Sequence, residues 1–139
     1  MIEVVNRQRK VRIASEGWRS FSEKALNAIG TDSGNATIAF VSDRQIQELN
    51  RRFRGIDKAT DVLSFPAGDE TSGATTNLGD IAISLERAAV QAKENQLTLD
   101  EEIAQLILHG LLHLCGYDHE TDKGEMNRLE LKLREKLKI

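Results

Sequence analysis

Thr98-Leu99-Asp100-Glu101-Glu102-Ile103-Ala104-Gln105-Leu106-Ile107-Leu108-His109-Gly110-Leu111-Leu112-His113-Leu114-Cys115-Gly116 is the stretch from which the fold reads most directly. Thr98 with Glu101 three residues on is a capping box, which satisfies two orphan backbone donors and starts a helix. Ile103, Leu106, Ile107, Leu108, Leu111 and Leu112 then put apolar side chains on several faces. A helix that is apolar nearly all round belongs in a protein's interior, so a buried central helix is expected over about Leu99–Cys115. Gly116 is the residue type that stops a helix in the left-handed conformation.

The flanking chain must supply what buries that helix. Ile2–Val5, Val11–Ile13, Thr37–Val41, Asp61–Phe65 and Asp80–Ser84 are β-rich and bounded by polar turns, so they are expected as strands, the fourth ended by Pro66. A helix opened by Ser15 carries Trp18, Phe21, Leu26 and Ile29 on one face and stops at Gly30. Ser42 with Gln45 is a second capping box; the helix it opens turns Ile46, Leu49 and Phe53 inward and closes at Gly55. Ser84 caps a helix over Leu85–Asn95, and a final amphipathic helix runs from about Lys123 through Met126, Leu129, Leu133 and Leu137. Ala67–Asn77, rich in Gly, Thr and Ser, is expected as a mobile loop. Mixed strands and helices with no repeat or linker predict one α+β domain over residues 1–139, a single mixed sheet packed with helices.

Composition narrows the class of function. The chain is 40% hydrophobic and 29% charged, with one proline and ten glycines, which suits a soluble globular domain. No apolar run is long enough for a membrane span. The first residues lack the basic-then-apolar order of a secretory signal, and the single Cys115 forms no internal disulfide, so a cytoplasmic protein is expected. Net charge is −3, unlike a polycation built for nucleic acid, but it is uneven. Residues 1–60 hold 11 Lys+Arg against 7 Asp+Glu (+4), and residues 61–139 hold 8 against 15 (−7). Basic clusters such as Arg51-Arg52-Phe53-Arg54 can still follow phosphates locally.

The three histidines all fall within His109–His119. His109 and His113, four apart on a helix, project from one face. A buried helix has no packing reason to carry two imidazoles there, since each needs polar partners; a shared metal ion removes the difficulty. A reversal at Gly116 is expected to bring His119 to the same ion, with zinc the natural occupant. Three protein ligands with a fourth position open is the catalytic arrangement, one that activates water and polarises the group under attack. Cys115, two residues past His113, points off that face and is expected as a small buried hydrophobe. The spacing matches the zinc motif of metzincin proteases, except that Gly110 stands where those enzymes carry their glutamate base.

His-Gly-Leu-Leu-His-Leu-Cys-Gly-Tyr-Asp-His at 109–119 resembles the signature of the YbeY family of bacterial metal-dependent endoribonucleases. Leu49–Pro66 and Leu78-Gly79-Asp80-Ile81-Ala82-Ile83-Ser84 resemble two further family segments, in the same order. The resemblance implies a metalloprotease-like α+β fold and His109, His113 and His119 as ligands of zinc or a similar divalent ion. It implies cleavage of single-stranded RNA, with ribosomal RNA and the ribosome as partners, in 3′-end processing of small-subunit ribosomal RNA and ribosome quality control. The family's catalytic arginine falls on Arg54, within Phe53-Arg54-Gly55, where a guanidinium can bind two phosphate oxygens. Ala59 replaces the proline of many members. Asp118 is expected to orient a ligand histidine, accept a proton or cap the turn. The competing functions are a peptidase or amidase on the same ion, which lacks its base at Gly110, and a non-catalytic ribosome assembly factor with a structural metal.

Overall fold

Helix and strand boundaries follow local chemistry closely in the computed structural model, which describes residues 1–139 apart from 15, 31–33, 68–70, 73–74 and 119–121, with backbone alone for 71–72 and 75–76. The elements run β1 (Ile2–Asn6), α1 (Trp18–Ile29), β2 (Gly34–Val41), α2 (Asp43–Arg54), β3 (Val62–Pro66), β4 (Thr71–Ser72), β5 (Thr75–Ser84), α3 (Leu85–Glu94), α4 (Leu99–Leu114) and α5 (Glu125–Leu137). Both expected capping boxes form, Ser42 with Gln45 on α2 and Thr98 with Glu101 on α4. Ser84 caps α3 by accepting from Arg87 N–H. Gly30, Gly55 and Gly116 all take left-handed backbone.

The sheet has the order β1-β2-β5-β3, with β4 paired to the far end of β5. β1, β2 and β5 are parallel; β3 runs antiparallel to β5 and forms an edge. This is the expected α+β class with one mixed sheet. Ile38, Phe40, Ile81 and Ile83 face the main core, whereas Ala82 and Leu63 belong to a smaller cluster with Val41 and Ile46. Since Ala82 alternates with Ile81 and Ile83, the two clusters lie on opposite faces of the sheet, α4 over one and α2 over the other.

Helix α4 is the buried centre that its sequence demands. It contacts α1, α3, α5, β3 and β5, and Ile103, Ile107, Leu108, Leu111 and Leu112 have no exposed surface. Each such side chain stabilises the fold by about 1.5–3 kcal/mol on burial. Gly110 lets the helix sit directly on β5: a Cβ there would lie 2.9 Å from Ile81 Cδ1. Ser64 Oγ donates to Gly110 carbonyl oxygen at 3.3 Å, tying β3 to the same turn.

Four expectations need correction. Val11–Ile13 is not a strand: Gln8 clasps Val11, accepting from its N–H at 2.9 Å and donating to its carbonyl at 3.0 Å, which replaces a ladder partner. Helix α1 starts at Trp18 behind a left-handed Gly17 with no side-chain cap, and the expected cap Ser15 lies outside the described residues. The expected loop Ala67–Asn77 contains β4 and the start of β5. Phe53 is not inward. It is 64% exposed, and the buried polar position on α2 is taken by Asn50, whose Nδ2 donates to Lys58 carbonyl at 3.0 Å. Among the described residues, no helix is long and apolar enough to cross a membrane.

Candidate metal centre and its cavities

One turn of α4 brings His109 and His113 together, as their four-residue spacing requires. Their Nε2 atoms lie 3.1 Å apart, with the rings inclined at 76°. His109 Nδ1 meets Glu130 Oε1, from α5, at 3.0 Å. A carboxylate only accepts, so His109 donates from Nδ1 and keeps its Nε2 lone pair for the space it shares with His113. Burial pushes the Glu130 carboxyl up. The hydrogen bond from His109, with the charge of Arg134, outweighs burial and holds it below the ordinary glutamate value. Arg134 Nη2 stands 3.7 Å from the same Oε1.

This donor set fits a divalent transition metal. Two imidazole nitrogens each about 2.0–2.1 Å from one tetrahedral ion stand about 3.3–3.4 Å apart, close to the spacing found. Two lone pairs aimed at one point repel unless a cation or proton lies between them, and the carboxylate behind His109 strengthens its donor power. Among the described residues no group of three or more His, Cys, Asp or Glu gathers at metal-binding spacing. His119, the third expected ligand, lies outside the described residues.

Arg54 reaches the same place from the far end of α2. Its Nη2 donates to Ser64 carbonyl at 3.2 Å, and it lines a cavity of about 360 Å³ with His109, His113, Tyr117 and Asp118. A second cavity, about 530 Å³, shares His109 and Val62 with the first but is walled by Asp61, Glu102, Glu130 and Arg134. Glu102 is only 5% exposed. Burial raises its carboxyl above the usual range and the Asp61 charge adds to this, against opposing contributions from Asn95 and Arg134. Cys115 caps α4, half-buried against the core and absent from the histidine cavity lining.

Glu130 is the site residue that sequence reasoning overlooked. It lies four residues after Met126 and three before Leu133, on the inward stripe of α5, where a lone carboxylate needs a partner. That misplaced charge was the available signal.

A buried helix presenting a His-x3-His pair, backed by a carboxylate and facing an arginine, is the arrangement of a metal-dependent hydrolase. The sequence model of the family described as Endoribonuclease YbeY matches residues 3–138. Endoribonuclease YbeY of Koribacter versatilis is 44% identical over 136 residues, covering 98% of this chain and 86% of that protein. Endoribonuclease YbeY of Aquifex aeolicus is 40% identical over 132 residues, covering 95% and 85%. The solution structure of TM1509 from Thermotoga maritima superposes with a TM-score of 0.68 at 30% identity, covering 99% of this chain and 89% of that one. The chain therefore belongs to the YbeY endoribonuclease family, hydrolases acting on RNA and in general metal-dependent nucleases.

Proposed function

We propose that residues 1–139 form one catalytic domain that cuts single-stranded RNA with zinc, or a similar divalent ion, held on His109, His113 and His119, while Arg54 holds the scissile phosphate. Its physiological substrate on this reading is the 3′ region of small-subunit ribosomal RNA, met on the ribosome in the cytoplasm. The observation that carries the reading is the 3.1 Å approach of the two Nε2 atoms, with Glu130 fixing the His109 tautomer from behind.

The ion, when bound, supplies Lewis acidity toward the phosphate and a water of lowered pKa. Arg54 turns from the Ser64 carbonyl to two phosphate oxygens and offsets the charge that grows on them as the bond breaks. Glu130 keeps the His109 Nδ1 proton in place, so that this ring presents the same nitrogen throughout. The peptidase alternative lacks its base: the position after His109 is packed on Ile81, and a glutamate there would displace that core side chain.

Metal analysis of purified wild type beside His113→Ala tests the reading, followed by cleavage of a single-stranded RNA with the metal removed and restored. Wild type should retain about one ion per chain, lose cleavage on chelation and regain it on readdition. His113→Ala should retain no ion and cut at background. A His113→Ala chain that keeps both metal and activity overturns the proposal; one that stays folded and binds RNA without cutting rules out a purely bracing metal.

A further inference from the structure

We infer that the outward face of Phe53 is a stacking platform for one unpaired base of the RNA strand, beside the phosphate at Arg54; this rests on the RNA-cutting reading of the cavity. Helical periodicity places Phe53 on the inward stripe with Ile46 and Leu49, yet the ring stands 64% exposed at the end of α2, next in sequence to Arg54. It is held there with most of its surface open, the Arg52 guanidinium lying over the ring as a group that a base can displace or stack beside. Phe65 meets it at 5.5 Å between centroids and 68° between planes, and an edge-to-face contact of this kind leaves most of the ring surface open.

The surroundings favour a base with its backbone over an apolar protein partner. The Arg52 guanidinium sits 5.8 Å from the Phe53 centroid, and the next residue is Arg54. Arg51 is engaged by Glu48 at 2.5 Å, whereas Arg52 over the ring and Arg54 next to it in sequence can meet phosphates there. An aromatic face flanked by guanidinium groups is how proteins hold single strands with little sequence preference.

Electrostatics sets the direction of the strand. Beyond His109 on the other side, the second cavity sets three carboxylates, Asp61, Glu102 and Glu130, against Arg134, an excess of negative charge that disfavours a phosphodiester backbone. The strand therefore leaves the Arg54 cavity over the end of α2, across Phe53. Such a platform also favours single strands: in a duplex the faces of a base are covered by its stacked neighbours, and exposing one costs unstacking energy.

The test uses the purified, metal-loaded protein and short single-stranded RNAs carrying 2-aminopurine at successive positions, read by stopped-flow fluorescence before cleavage sets in. Wild type should quench the probe at one position. Phe53→Leu, which keeps an apolar contact for Phe65 but offers no aromatic face, should lose that quenching and bind about 5- to 100-fold more weakly. Its KM should rise while kcat is retained. Phe53→Tyr should behave as wild type, and affinity for a blunt duplex of the same sequence should change little in either variant. Equal single-strand affinity and quenching for Phe53→Leu and wild type would overturn the platform and leave the endoribonuclease reading intact. Position-specific quenching lost in Phe53→Leu, in a wild type that shows no metal-dependent cleavage, would support the platform while striking the reading of the histidine centre alone.

Discussion

The two cavities that meet at His109 share β3 and α4, yet their charge differs: three carboxylates stand against Arg134 in the larger, and Asp118 alone against Arg54 in the smaller. The smaller is entered past Arg54 and has the two imidazoles in its wall; the larger is walled by Asp61, Glu102 and Glu130, with Arg134 as counter-charge. The carboxylates of the larger cavity serve the protein itself. Glu130 orients His109, and Asp61 accepts from Val62 N–H at 2.7 Å. The arginine of the smaller one makes, among the described residues, a single hydrogen bond, to a backbone carbonyl, which an anionic ligand can replace. One imidazole thus faces a structural carboxylate on one side and the cavity proposed to take the phosphate on the other.

That contrast can be broken most sharply at its cationic end. Arg54→Ala should lower kcat/KM on single-stranded RNA by about 100- to 1,000-fold, with thermal stability nearly unchanged because the side chain is exposed. A loss below about tenfold would mean that the scissile phosphate sits elsewhere. At the shared wall, Glu130→Gln should weaken metal retention by about 10- to 100-fold, read by chelator competition. Unchanged retention would reduce Glu130 to a packing role. The smallest effect belongs to the acidic cavity. Because Glu102 is held above its ordinary value, its stabilising contribution is present below the unfolded-state value and is lost as pH rises through the folded one. Glu102→Gln should therefore match wild type near pH 4 and melt about 3 °C higher at pH 7, and a variant less stable at neutral pH would contradict this sign.

What could be read from the chain beforehand was whatever local chemistry determines. Capping boxes at Ser42 and Thr98, left-handed glycines at 30, 55 and 116, and the apolar girth of α4 are set by residues within a turn or two of each other. The His109–His113 approach is of the same kind, because helix geometry alone brings the rings together. The overlooked features depend on elements distant in sequence. Glu130 becomes the partner of His109 only once α5 docks beside α4, 21 residues away. The clasp by Gln8 replaced a strand at Val11 because a side-chain amide offered the donor and acceptor that a neighbouring strand would have supplied. Phe53 follows the helical period of α2, but periodicity marks a face, and only the packed structure reveals where the sheet beneath that face ends.

Strand β3 ends the sheet, and its free side is blunted at successive outward positions, one backbone group at each. Val62 N–H is taken by Asp61 Oδ1, the Ser64 carbonyl by Arg54, and Pro66 has no N–H to offer. An extended polypeptide therefore finds a weakened ladder along this edge, whether as a substrate laid beside the histidines or as the edge of another molecule seeking to aggregate. The guanidinium proposed to hold a phosphate thus also occupies an acceptor that a peptide backbone would need.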